Sequence, residues 1–395
     1  MSTIRPPERG RRCFDQLPAT IEQLLTGQTT GPALDQPILR RRVPRVALVF
    51  LDGFGWRLLE RQSRHPLVER ARSDGLVTQL TSQFPSTTTA HVTTIHTGLT
   101  VAEHGLYEWH VLEPTLNRLI TPLLFSYAGD PGRDTLVGTL DPEEVFPKGS
   151  FYERLATHGI RSTVVQPAEI ACSSPSRPLF HGIDVLPFST LVQGLASAAA
   201  ALEPAPAYAH VYVHAIDSLM HTIGPDDARV DLAFASALTA VERARFPAGT
   251  LVLLTADHGM SPVDPARTAY VNELWPDLAG CLETGADDKP LAPAGSCRDL
   301  FLHVRDGHLD EVRDELAARL GGFAEVMAVE TLVANGIFAD PSQRLRERLA
   351  NLVVLPRYGE AVYWHEPGRF VQHLRGQHGG LSPEEMEIPL LAWVA

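Results

Sequence analysis

The sequence predicts an α/β fold: a doubly wound core around a mainly parallel sheet, with a small α/β lid inserted before the last strand. Three observations predict it. Short β-branched apolar runs recur along the 395 residues, segments with helical apolar spacing separate them, and one late stretch changes character. Runs that are apolar throughout lack the polar alternation of a half-exposed strand, as expected for a parallel sheet covered by helices on both faces.

Residues 1–40 read as an N-terminal extension. Met1 to Leu25 carries Arg5, Arg9, Arg11 and Arg12 with no apolar run behind them, which is not the shape of a secretory leader. The core is expected over 41–261 and 371–395. Its first strand is RVALVFLD (45–52), and the next informative stretch is FPSTTTAHVTTIHTG (84–98). Ser and Thr favour helix starts through local hydrogen bonds, so these residues alone leave open whether the segment only begins a helix or also supplies an attacking hydroxyl. FYERLATHG (151–159) reads as a helix closed by glycine. RSTVVQP (161–167) and AHVYVHAID (209–217) read as strands, and DDARVDLAFASALTAVERARF (226–246) as an amphipathic helix. GTLVLLTADHG (249–259) and PLLAWV (389–394) complete the sheet.

The lid is expected over 262–370. A Gly/Pro-rich loop (284–296) precedes DLFLHVR (299–305), then a helix with Leu309, Val312, Leu316 and Leu320 on one face. AEVMAVETLV, NLVVLP and AVYWHE read as further strands.

Bulk properties restrict the partners. With 44% hydrophobic and 21% charged residues the chain is globular in composition. Lys plus Arg number 34 against 47 Asp plus Glu, a net charge of −13, which argues against a nucleic-acid duplex or an anionic membrane as main partner. No segment approaches the roughly 20 apolar residues of a membrane span. Cys13, Cys172, Cys281 and Cys297 form no CxxC pair; Cys281 and Cys297 could bridge, but free thiols in a reducing cytoplasm are the expectation.

Strand ends carry the chemistry. Asp52 follows the first strand, Asp257 and His258 follow TLVLLTA, and Asp217 follows HVYVHAI with His221 four residues later on the same helix face. His378 lies in the glycine-rich GQHGGLSPEEMEIPLL. The carboxyl ends of strands in such a sheet share one crevice, so these side chains point to one place. They divide into Asp217, His221 and His378 for one ion and Asp52, Asp257 and His258 for another. Imidazole with carboxylate suits Zn²⁺ best, with Mn²⁺ the rival. Singly, each element reads as a turn, a cap or a solvated helix face; their joint occurrence is the signal.

FLDGFGW, FPSTTTAHVTTIHTGLTVAEHG, HAIDSLMHTIGPDD, LLTADHGM and GQHGGLSPEEMEIPLL, in this order, resemble the alkaline phosphatase superfamily, in its type I phosphodiesterase/nucleotide pyrophosphatase branch. The resemblance covers about 46–260 and 370–395. It implies a hydrolase acting on phosphodiesters or phosphoanhydrides of small molecules, nucleotides among them, through a phosphothreonine intermediate. It places the nucleophile, itself a metal ligand, at Thr88, with Thr87 and Thr89 as alternatives. His91, three residues on, becomes a phosphate contact or a helix histidine packed on the sheet. Phe54, Phe84, Tyr107 and Trp109 are candidate substrate contacts, with core packing as the alternative, and Arg375 could enter from the last loop. A phosphomonoesterase or phosphonate hydrolase with the same ions is the second reading, and a metal-binding scaffold without turnover the third.

Overall fold

The five long apolar runs become adjacent strands of one seven-stranded sheet. The structure, a computed structural model, describes residues 4–28, 30–147 and 151–395. In chain order the strands are β1 (Arg45–Leu51), β2 (Leu76–Thr81), β3 (Arg161–Pro167), β4 (Asp184–Phe188), β5 (Ala207–Val213) and β6 (Thr250–Thr255). The lid adds β7 (Ala294–Gly295), β8 (Leu300–Leu302), β9 (Ala324–Ala328) and β10 (Leu352–Pro356), and the chain returns as β11 (Glu387–Val394). The central order is β2-β11-β6-β1-β5-β3-β4. β1, β3, β4, β5 and β6 run parallel, and β11 runs antiparallel to both β6 and β2.

Val46 to Leu51 of β1 are all 0% exposed. Burying such side chains contributes about 1.5–3 kcal/mol each, and this anchors the strand whose end carries Asp52. The two edge strands, β2 and β4, carry no long apolar run, because an edge has one neighbour and stays half-buried: β4 even accommodates Pro187.

Residues 13–25 are not an appended extension. Phe14, Leu17, Ile21 and Leu24 recur at helical spacing, and through a 3-10 turn (Phe14–Gln16) and helix α1 (Leu17–Thr26) they join the main core. The Thr81 amide at the end of β2 bonds the Arg12 carbonyl at 2.8 Å.

Four further helices matter here: α2 (Thr88–Thr97), α3 (Ala215–Ile223), α4 (Ala228–Arg243) and α5 (Leu309–Leu320). Within 262–370, the order β7-β8-β10-β9 forms a second, antiparallel sheet. Its residues alternate by period two. Leu300, Leu302, Leu352 and Val354 pack with Val312, Leu316 and Leu320 of α5, whereas Phe301, Val353 and Leu355 belong to the main core. The lid sheet is thus sandwiched between its own helix and the main core.

Two lid segments differ from expectation. AEVMAVETLV splits into β9 and a short helix, Val329–Ala334, and AVYWHE contributes only Val362–Tyr363, paired in parallel with Ala269–Tyr270. All four cysteines are free thiols, so Cys281 and Cys297 do not bridge. Among the described residues, no helix is long and apolar enough to cross a membrane.

Candidate active site

Each strand-end residue is held by a local device. After β1 the chain turns at Gly53, whose φ of +73° suits glycine; a Cβ there would also lie 2.7 Å from Met220 Cε and 3.2 Å from Asp217 Cα. That close approach brings Asp52 beside the first turn of α3. Asp257, after β6, accepts the amides of Gly53 at 3.1 Å and His258 at 3.0 Å through Oδ1, which leaves Oδ2 free to face the site. Asp217 and His221 stack one turn apart on α3, with Oδ2 to Nε2 at 3.3 Å.

The six side chains meet. His258 Nε2 lies 3.4 Å from Asp52 Oδ1 and 3.3 Å from Asp257 Oδ2, while His378 Nε2 lies 3.9 Å from Asp217 Oδ1. The His258 and His378 rings stack with centroids 3.5 Å apart. Ligand atoms of Asp217, His221 and His378 fall within 4.8 Å of one another, and so do those of Asp52, Asp217 and His258; Asp217 therefore reaches both sets.

The three imidazoles share one arrangement. Nδ1 of His221, His258 and His378 bonds the carbonyls of Gly376, Gly259 and Ser86 at 2.7, 2.8 and 3.0 Å. A carbonyl only accepts, so Nδ1 carries the proton and Nε2 presents its lone pair to the centre.

Thr88 begins α2 at the edge of this cluster. Its Oγ1 is 3.2 Å from His258 Nε2 and 3.4 Å from Asp52 Oδ1. The N-cap residue, Thr87, makes no side-chain cap, so the first-turn amides of this ten-residue helix stay open to an anion. Thr89 is 0% exposed. The hydroxyl of Tyr212, the penultimate residue of β5, donates to Asp52 Oδ2.

Electrostatics fit a cation-binding cluster. Burial, reinforced by Asp257 and Asp217, holds Asp52 well above the carboxylate range, and burial pushes Asp257 up to about 7. Burial works the same way on Asp217, but the neighbouring His221 outweighs it and lowers this group. Burial holds His258 and His378 well below the ordinary histidine value, hence neutral. Asp217 Oδ1 and Asp257 Oδ2 are buried without a hydrogen-bond partner. Leaving such oxygens unpaired costs roughly 1–3 kcal/mol each or more, and a divalent cation in their midst would remove that penalty.

Two cavities meet at Thr88. One, of about 540 Å³, runs toward the lid past His221, His378, Glu108 and Gln377; the other, of about 300 Å³, runs past Asp52, Tyr212, Gln166 and Arg133. Thr88, Trp109, Leu124, Asp217 and Ser218 line both.

Several candidates lie elsewhere. His91 is 0% exposed; its Nδ1 bonds Thr87 O at 2.7 Å, and its Nε2 meets Ser82 Oγ at 2.9 Å and the Gln83 amide at 3.0 Å. Both nitrogens are committed inward, so it pins the start of α2 and does not contact phosphate. Phe54 packs on Phe234 with centroids 4.4 Å apart, Tyr107 on Phe301 at 5.1 Å and Phe84 on Phe338 at 5.2 Å; all three are core residues. Trp109, 37% exposed, is the one aromatic of the four that lines the cavities. Arg375 lines neither cavity, whereas Arg369 and Arg133 do.

Sequence reasoning missed the support behind His378. Arg298, 0% exposed, grips Glu385 with two bonds of 2.9 and 2.8 Å, and Glu385 in turn accepts the Gly380 amide at 3.0 Å. The signal available was PEEM beside the glycine loop, a carboxylate with no reason of its own to be buried.

Comparison with known proteins agrees with this geometry. Residues 46–380 match the family model described as type I phosphodiesterase / nucleotide pyrophosphatase. No curated protein matches the sequence. Among solved structures, murine ectonucleotide pyrophosphatase / phosphodiesterase 5 superposes with a TM-score of 0.66 at 18% identity, covering 88% of this chain and 87% of that one. Another structure of that murine protein is an inactive form in complex with AMP. Phosphonoacetate hydrolase from Sinorhizobium meliloti 1021, in complex with phosphonoformate, gives a TM-score of 0.61 at 18% identity, covering 89% and 91%.

Proposed function

The chain belongs to the type I phosphodiesterase / nucleotide pyrophosphatase family, and on that premise we propose that it hydrolyses phosphodiester or phosphoanhydride bonds of small molecules, with Thr88 as the nucleophile. The observation that carries this reading is the place of Thr88: a hydroxyl at an uncapped helix N-terminus, within 3.4 Å of ligand atoms from two different strand ends, where two cavities meet.

Asp52, Asp257 and His258 would hold one divalent cation, with Thr88 beside it, and Asp217, His221 and His378 the other; imidazole with carboxylate favours Zn²⁺ over Mn²⁺. Bound there, the pair would lower the pKa of the attacking hydroxyl and water and offset charge on the oxygens that enter and leave.

The chain's own groups do the rest. Thr88 Oγ gives up its proton to solvent and attacks phosphorus in line, the P–O bond opposite breaks, and the leaving oxygen departs with the electron pair and takes a proton from water. The open amides of α2 and its dipole stabilise the charge on the non-bridging oxygens. Water then attacks the phosphothreonine, whose P–Oγ bond breaks to regenerate Thr88. Tyr212 holds Asp52 by its hydroxyl, and three backbone carbonyls hold the imidazole tautomers, so the ligand set needs little rearrangement.

The two cavities favour a phosphorus with two substituents, one in each arm. AMP in the inactive murine relative is consistent with a nucleotide in one arm. The phosphonoacetate hydrolase likeness supports a second reading, C–P cleavage on the same machinery. Metal-loaded enzyme assayed on bis(p-nitrophenyl) phosphate, p-nitrophenyl phosphate and phosphonoacetate separates the readings. Preference for the diester is expected; cleavage of the monoester or the phosphonate alone overturns it, and no cleavage of any would return the chain to a scaffold.

A further inference from the structure

The lid carries a second set of metal-binding groups that the catalytic reading does not use. Cys281 ends the 3-10 helix Pro276–Cys281, His308 immediately precedes α5, and Glu311 lies in the first turn of α5. One ligand atom from each falls within 4.8 Å of the others. None of the three lines the cavities at Thr88.

The backbone holds these groups together. The Arg305 amide bonds the Cys281 carbonyl at 2.9 Å, and Leu282 bridges Val304 in antiparallel fashion. A turn through Gly307, with φ of +83°, then brings the chain back so that the His308 amide bonds Arg305 O at 3.1 Å. Glu311 Oε2 sits 3.0 Å from His308 Nδ1. A histidine and a glutamate three residues apart at a helix start often meet by themselves. The third member is what lifts the set above that: a free thiol on a residue only 8% exposed, without a hydrogen bond among the described residues, facing both.

We propose that Cys281, His308 and Glu311 bind a divalent cation of borderline softness, Zn²⁺ foremost, which clips the end of the Pro276–Cys281 helix to the start of α5. Sulfur, imidazole nitrogen and carboxylate oxygen form a mixed set that discriminates against Mg²⁺ and Ca²⁺. The exposure of the His308 and Glu311 side chains, 44% and 57%, leaves water a fourth position. The two flanking cations are engaged elsewhere, Arg305 with Gly280 O at 3.1 Å and Thr284 Oγ1 at 2.9 Å, and Arg313 with Asp310 Oδ1 at 2.7 Å and Asp314 Oδ1 at 2.9 Å. Burial and the carboxylates of Glu311 and Asp277 raise the thiol, against a smaller opposing effect of Arg305. Binding would therefore release a proton from sulfur.

Cobalt substitution tests this on the whole chain. Every group assigned to the catalytic ions is oxygen or nitrogen, so a thiolate-to-cobalt charge-transfer absorption reports a cysteine site, and replacing Cys297, the thiol that lines the larger cavity, separates the lid site from the catalytic one. The band is expected in wild type and in Cys297→Ser, and is expected to vanish in Cys281→Ser together with one equivalent of bound metal. Glu311→Gln, an exposed change that leaves the lid core untouched, should weaken cobalt binding about tenfold. Diester turnover should stay within twofold of wild type in both. No band at saturating cobalt, a band that survives Cys281→Ser, or unchanged metal content in that variant would overturn the proposal.

Discussion

Thr88 is one hydroxyl among seven in residues 84–98, and its surroundings single it out. Thr87 caps nothing and Thr89 is fully buried, whereas Thr88 faces His258, Asp52 and both cavities. Thr88→Ala should lower diester turnover by more than about a thousandfold while thermal stability and metal content persist; residual activity within tenfold would assign the attack to another group. His378→Ala should release one ion in preference to the other, and elemental analysis finding both retained would break the ligand assignment. A pH effect follows from Glu108, whose carboxyl burial pushes from 4.5 up to about 8 beside the equally buried Asp299. The folded state keeps a proton that the unfolded chain gives up, so this group's stabilising contribution is full below about pH 4.5 and is lost as pH rises toward 8. Glu108→Gln should flatten that part of the stability profile; melting curves that fall equally steeply in both proteins would contradict it.

At the scale of elements, the Arg298–Glu385 pair joins the lid to the loop bearing His378. Both partners are 0% exposed, and breaking such a pair strands a charge in the interior. Glu385→Ala should therefore cost about 3–5 kcal/mol in denaturant unfolding and loosen metal retention as well, whereas a cost under about 1 kcal/mol would remove the clamp from the scheme. This clamp also marks the limit of what the sequence made legible. Strands β1, β3, β5, β6 and β11 were readable because burial on both faces writes short, β-branched, mainly apolar runs. The edge strands β2 and β4 were not, since half-burial leaves no such run. Asp52, Asp217, His221, Asp257, His258 and His378 stood out together, because each alone reads as a turn, a cap or a solvated face but successive strand ends of one sheet share a crevice. His91 stayed open between a phosphate contact and a packed helix histidine because its neighbours in sequence lie at the site, whereas its ring turns inward to Thr87, Ser82 and Gln83, a direction no local pattern encodes. Phe54 and Tyr107 failed likewise, because an aromatic beside a motif packs inward unless tertiary structure opens a cavity for it.

For the whole molecule, a chain with a net charge of −13 that acts on anionic esters must overcome its own field. The ion pair of the proposed site, the amides of α2, and Arg133 and Arg369 in the two arms are the compensating groups. Trp109, which lines both arms, should matter more for holding a diester than for cleaving it: Trp109→Ala is expected to raise KM severalfold with kcat little changed, and the reverse split would place it in the reaction itself. The most direct measurement is the stereochemical course at phosphorus, followed with a diester made chiral by sulfur and oxygen isotopes. Two successive in-line displacements, the first by Thr88 and the second by water, predict net retention. Inversion would mean that water attacks the substrate directly and that no phosphothreonine forms.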